Sequence, residues 1–209
     1  MATRPPDRIR VKRHPERGTY DRETVDAILD EALVCHLGFA VDGRPYVIPT
    51  LHARVGDTLY LHGSSASRML RHLAAGAPAC ATVTLLDGLV LARSVFNHSM
   101  NYRSVVVLGT ATLVADEEKA DALHALTERL APGRWDEARR PSPQELKATS
   151  ILRLPIDEAS AKVRSGPPKD APADEGLPVW TGVVPVHLAA EPSEYDWKRV
   201  RDGRLGLPR

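Results

Sequence analysis

Asp42-Gly43 is the strongest short hairpin signal in the chain, and it most narrows what this chain can fold into. Asp-Gly supplies the two positive-φ positions of a two-residue hairpin turn, so Cys35 to Val41 and Arg44 to Arg54 are predicted as paired strands. A second turn, Val55-Gly56-Asp57, leads into a third strand, Thr58 to His62. Three strands joined by tight turns form an antiparallel meander, not a βαβ unit. Pro45 and Pro49 fall four apart in the second strand. Proline cannot donate to a ladder, so this strand is expected at an edge, bulged, or irregular where something approaches its backbone.

The rest of the chain extends the pattern. Asp21 caps a helix whose apolar positions are Val25, Ile28, Leu29 and Val34. A short helix runs from Ser67 to Ala75 and stops at Gly76. Strands follow at Ala79 to Val90 and Ser104 to Val114, joined by the polar stretch ARSVFNHSMNYRS. Asp116 to Leu130 reads as an amphipathic helix, Ser142 opens a short helix, and strands follow at Ile151 to Ile156 and Ala159 to Arg164. The expectation is a mainly β fold with flanking helices, a small closed barrel of about six antiparallel strands.

A chain of 209 residues accommodates one sizeable domain. Residues 17–188 are assigned to it, between a flexible basic arm at 1–16 and a polar tail at 189–209. Nine of the seventeen prolines lie between Pro141 and Pro192, which marks residues 165–178 as a long loop. Lys and Arg total 28 against 27 acidic residues, so no global charge favours nucleic acid or an anionic membrane. The apolar runs are too short for a spanning helix, and no apolar segment follows the basic N-terminus as in a secretory signal. Cys35 and Cys80 cannot build a disulfide framework and lack zinc spacing, so a cytoplasmic home without a metal is expected.

The best site candidate is His62-Gly63-Ser64-Ser65-Ala66-Ser67-Arg68, where a strand ends in hydroxyls and an Arg enters a helix. This arrangement suits one phosphate monoester, and equally a plain helix cap with a surface Arg. It is not a P-loop, and no GxGxxG fingerprint exists. Arg93-Ser94 and Arg103-Ser104 can add donors to the same anion, or be solvated. His36, His52 and His62 fall on three successive strands without zinc spacing. Trp180, within VWTGVVP, is a core or interface aromatic or a cofactor clamp.

The segments ERGTYD, CHLGFAVDGRPYVIPT, LYLHGSSASRML, GLVLARSVFNHSMNYRSVVVLGTA, PGRW, SAKVRSGPP and VWTGVVP resemble the pyridoxamine 5′-phosphate oxidase-related flavin-binding family, in its nitroimidazole-resistance-like branch. The resemblance spans about Arg17 to Val186. It implies a split β-barrel that binds FMN, as a homodimer with the flavin at the subunit interface. The strand Tyr46, Val47, Ile48, Pro49, Thr50 matches the one whose backbone faces the flavin ring. Ser67-Arg68, with Gly63 and Ser64 before it, matches the phosphate motif, although Met69 replaces the lysine of the true oxidase. Arg103 and Ser104 match a polar flavin contact, and His62 matches a histidine beside the flavin with a catalytic role. The oxidase's C-terminal substrate-binding pattern is missing.

The resemblance implies an FMN-dependent oxidoreductase acting on a small-molecule substrate or electron acceptor. A non-catalytic flavin carrier is the alternative. A haem-binding split barrel is another, with His36, His52, His62 or His98 as axial ligand.

Overall fold

The computed structural model describes residues 6–189. One antiparallel sheet carries the fold, with strands β1 (Gly18–Thr19), β2 (Val34–Val41), β3 (Arg44–Val55), β4 (Thr58–Ser64), β5 (Pro78–Leu91), β6 (Ser99–Thr110), β7 (Thr112–Leu113), β8 (Thr149–Pro155), β9 (Glu158–Arg164) and β10 (Gly182–Pro185). Their order is β1-β9-β6-β5-β2-β3-β4-β8-β7, and β10 pairs with β5. Five helices flank the sheet: α1 (Arg22–Glu31), α2 (Arg68–Ala74), α3 (Lys119–Leu130), α4 (Arg134–Glu137) and α5 (Pro143–Ala148).

The sequence predicts about six strands and the sheet has ten. The surplus comes mainly from β1 and β7, two residues each, and β10, four residues. Pieces this short carry too little alternation to be read. β6 begins at Ser99, so the second half of the polar link is strand. The predicted hairpin forms as expected: Asp42 and Gly43 take φ of 50° and 74°. Asp21 caps α1 by accepting from the Thr24 N–H at 2.9 Å, and Val25, Ile28 and Leu29 enter the core. There they join Leu37, Leu59, Leu61, Val105 and Leu154.

Buried His52 ties α1 to the barrel, its Nε2–H donating to the Leu29 carbonyl at 3.0 Å. Gly88 follows a register shift in β5, and a Cβ there would come within 2.7 Å of Val183. The absence of a side chain is therefore what lets β10 pair so closely. The described part of the arm lies against the barrel: Ile9 is buried, Arg8 pairs with Glu158, and Val11 N–H donates to the Tyr20 hydroxyl. The tail expected from residue 189 onward lies, apart from Ala189, outside the described residues. No helix among the described residues is long and apolar enough to cross a membrane.

Candidate functional site

β3 changes partners along its length. Residues 44–51 pair with β2, whereas residues 52–55 pair with β4. Along 44–51 the edge turned away from β2 has no partner strand among the described residues, and both prolines fall in that stretch. Proline is tolerated there because no ladder bond is lost. β4 behaves in the same way: His62, Gly63 and Ser64 pair with β8 but not with β3. The two strands therefore splay apart beyond His52 and Leu61, leaving two open backbone edges.

Helix α2 stands at this divergence. Met69, Leu70 and Leu73 enter the core, and a Cβ on Gly63 would meet the Leu70 side chain at 3.1 Å. Arg68 lies over the Tyr46 ring, and His72 Nε2 sits 2.8 Å from the Ala40 carbonyl. The turn before α2 is internally bonded. Ser64 Oγ accepts from Ala66 N–H at 3.2 Å, Ser67 Oγ from Leu70 N–H at 3.4 Å, and Arg71 Nε donates to the Ser65 carbonyl at 2.9 Å. Ser67 thus serves as the helix cap. Arg68 forms no ion pair among the described residues, so its guanidinium is free for an anion.

His62 is half-buried, and its Nδ1 is shielded from solvent without a hydrogen-bond partner. Burial pushes its pKa below the ordinary histidine value, so the ring is neutral near pH 7. Its side chain leaves β4 on the face of its pair partner Ile151, which packs with Val114 and Ala122. Tyr46 and Thr50 are half-buried, while Val47, Ile48 and Pro49 are exposed. The structure thus brings together the β3 segment 46–50, Gly63, Ser64, Ser67 and Arg68, whereas the His62 side chain projects from the opposite face of β4 to that on which α2 packs.

Other predicted site residues stand elsewhere. Arg103 is clamped by two carboxylates, Glu31 and Asp87, with 2.7 Å contacts to each. Those bonds raise its pKa further, and its donors are committed within the fold. Ser104 Oγ donates to the Lys162 carbonyl at 3.3 Å. Arg93 is held by Asp170 at 2.9 Å. Trp180 is mostly exposed beside β10, its ring against Gly182. His36 and His98 are exposed, and His52 is sealed in the core.

A family model described as pyridoxamine 5′-phosphate oxidase matches residues 21–163. The chain belongs to this family. The match takes in the splayed β3–β4 edges, α2 and the Arg103 clamp. Two solved structures are similar over most of their length. The flavocytochrome Anf3 from Azotobacter vinelandii is 44% identical, with 91% of this chain and 89% of that one covered, at a TM-score of 0.85. The FAD and haem binding protein from Mycobacterium smegmatis is 42% identical, covering 85% and 89%, at 0.80. A Bacteroides thetaiotaomicron protein assigned to 5-nitroimidazole antibiotic resistance shares the fold at 24% identity, 70% and 86% coverage and a TM-score of 0.58. No curated protein matches the sequence.

Proposed function

We propose that this protein is a flavin-binding oxidoreductase. The observation that carries this reading is the unpaired β3 edge at residues 44–51, opposite a turn that ends in the uncommitted Arg68. A flavin has a planar ring with hydrogen-bonding edges and a phosphate on a flexible chain. The open backbone and apolar Ile48, on the face of Tyr46, suit the ring, while Arg68 and the Ser65 hydroxyl suit the phosphate. FMN is the unit this site needs, and FAD contains it, so the turn serves either flavin. When bound, the flavin supplies hydride or electron transfer to a small-molecule substrate or acceptor. The chain's residues orient it and set its exposure. The free thiols Cys35 and Cys80 suit a reducing, cytoplasmic setting.

The exposed, partly apolar face around Val47 is suited to a second copy of the chain, with the flavin between protomers. A second cofactor, haem, is supported by the two relatives above 40% identity, described as a flavocytochrome and as an FAD and haem binding protein. His62 offers a neutral imidazole that is only half-buried, as a haem ligand requires. Absorption spectra of the purified protein test both cofactors, and mass spectrometry of the released flavin separates FMN from FAD. Flavin bands with a Soret band are expected; a colourless protein that takes up no added flavin overturns the reading.

A further inference from the structure

Away from the splayed strands, an open cleft of about 650 Å³ lies between the N-terminal arm and the ends of β6 and β9. Its lining is cationic to a degree that the net charge of the whole chain conceals. Arg13 and Arg17 enter from the arm, Lys162 and Arg164 from β9, and Lys169 from the loop that follows. Lys162 and Arg164 stand two apart on a strand, so both project from one sheet face. Their pair partners on β6 are Ser104 and Tyr102.

Very little negative charge answers these five groups. Glu16 lies 3.7 Å from Arg17, and it also contacts His14 at 3.1 Å. Among the described residues, no carboxylate pairs with Arg13, Lys162, Arg164 or Lys169. Arg164 is only 9% exposed, and the partner of its guanidinium is the neutral side-chain oxygen of Asn101. Burial, and then the charge of Arg17, push its pKa below the ordinary arginine value. A cluster of like charges held together without counter-ions is at higher energy until an anion enters.

Two further features define that anion. Phe96 is 93% exposed at the rim, and Tyr102 lines the wall, so aromatic faces flank the charges. His98 accepts from the Ala92 N–H through Nδ1 at 3.3 Å. Its proton is therefore on Nε2, which makes the ring a hydrogen-bond donor to a ligand and unsuited to ligating a metal through that atom.

We propose that this cleft is a second anion site, which takes the diphosphate and base of a nucleotide. Arg17, Lys162, Arg164 and Lys169 hold the phosphates, and Phe96 with Tyr102 flanks the base. The site is distinct from the Ser64–Arg68 turn, because β5, β2 and β3 lie between β6 and β4 in the sheet. The nucleotide has two possible sources with the same chemistry: the adenosine diphosphate half of a bound FAD, or a separate dinucleotide that exchanges electrons with the flavin.

Calorimetric titration of the cofactor-loaded protein with ADP tests this. Saturable binding of one ADP per chain is expected for a separate dinucleotide. The pair Lys162→Glu and Lys169→Glu should weaken it at least about ten-fold, with melting temperature and flavin absorbance unchanged. Binding that appears only after flavin removal, and that competes with FAD but not with FMN, assigns the cleft to the adenosine diphosphate half of FAD. No ADP binding in either state, or binding unaltered by the two charge reversals, overturns the proposal. Arg68→Ala is the control that separates this site from the flavin turn: for a separate dinucleotide, loss of flavin there leaves the ADP titration intact, whereas for FAD it opens the cleft to ADP.

Discussion

The Arg68 guanidinium sits 4.9 Å above the centre of the Tyr46 ring, so the first residue of α2 rests on the strand whose edge is left unpaired. The ring holds the cation through its π face and consumes none of its N–H donors. A residue preorganised in this way meets an anion with little further loss of side-chain freedom. It also joins the turn to the β3 edge, the two parts of the proposed flavin site.

Arg68→Ala should therefore lower flavin affinity without unfolding the barrel. A charge-assisted contact of this kind contributes about 1.5–3 kcal/mol, or about ten- to a hundred-fold in affinity. Fluorescence titration of the deflavinated protein measures it. Tyr46→Leu should cost less, because it removes the support and leaves the charge. Equal affinity in Arg68→Ala and wild type removes the turn from the site.

Arg103 should behave differently. Its contacts to Glu31 and Asp87 are partly exposed, so solvent screening limits their value to about 1 kcal/mol. Arg103→Ala is expected to lower the melting temperature by a few degrees with flavin content retained. The bond from Arg103 holds the Glu31 carboxyl below its ordinary pKa. A carboxyl depressed in the fold contributes stability that is present above its unfolded pKa and lost as pH falls through the folded value. The variant should therefore lose less stability than wild type below about pH 4.5, the ordinary glutamate value. A large drop in flavin content with the melting temperature unchanged would instead place Arg103 at the cofactor.

His52 sets a second pH dependence at higher pH. Burial lowers its pKa below 6.5, so the folded chain keeps it neutral while the unfolded chain protonates it. Its stabilising contribution is complete above pH 6.5 and is lost as pH falls toward the folded value. Melting curves between pH 7.5 and about pH 5 should show this decline. His52→Gln, which can keep a donor for the Leu29 carbonyl, should flatten it; an equal slope in the variant assigns the decline to other groups.

The proposed dimer rests on surface chemistry. Val47 is 65% exposed on the open sheet face. Val47→Glu should convert a dimer to a monomer, with flavin lost at the same time if the ligand lies between protomers. Light scattering coupled to absorbance reads both. A wild-type monomer at micromolar concentration ends the proposal.

The meander and its turns were legible because Asp42-Gly43 encodes positive φ and because β2 and β4 alternate buried with exposed or half-buried residues. Pro45 and Pro49 carried the clearest functional signal, since their missing donors implied the open edge that the structure shows. The β1 and β7 pieces were not legible, because two residues have no period. The fate of Arg103 was also hidden. Its partners Glu31 and Asp87 are 72 and 16 residues away and lie on other elements. The cationic cleft escaped for the same reason: Lys162 and Arg164 have a strand period, but Arg13 and Arg17 join them only through the packing of the arm.

His62 has a neutral ring, and its shielded Nδ1 has no partner among the described residues, an arrangement that costs stability. If it serves as the haem ligand, His62→Ala should abolish the Soret band and leave the flavin bands in place. Ligation needs the neutral ring, so haem retention in wild type should fall under acid conditions, as protonation competes for the nitrogen. Should the wild-type protein carry flavin alone, the same variant tests the other role, a hydrogen-bond partner to the reacting ligand. Reoxidation of the reduced flavin in stopped flow should then slow by about 10²-fold with flavin content normal. A purely structural residue predicts the opposite of both. In that case the spectrum and the reoxidation rate per bound flavin are unchanged, and filling the vacated space with His62→Leu restores the melting temperature that alanine lowers.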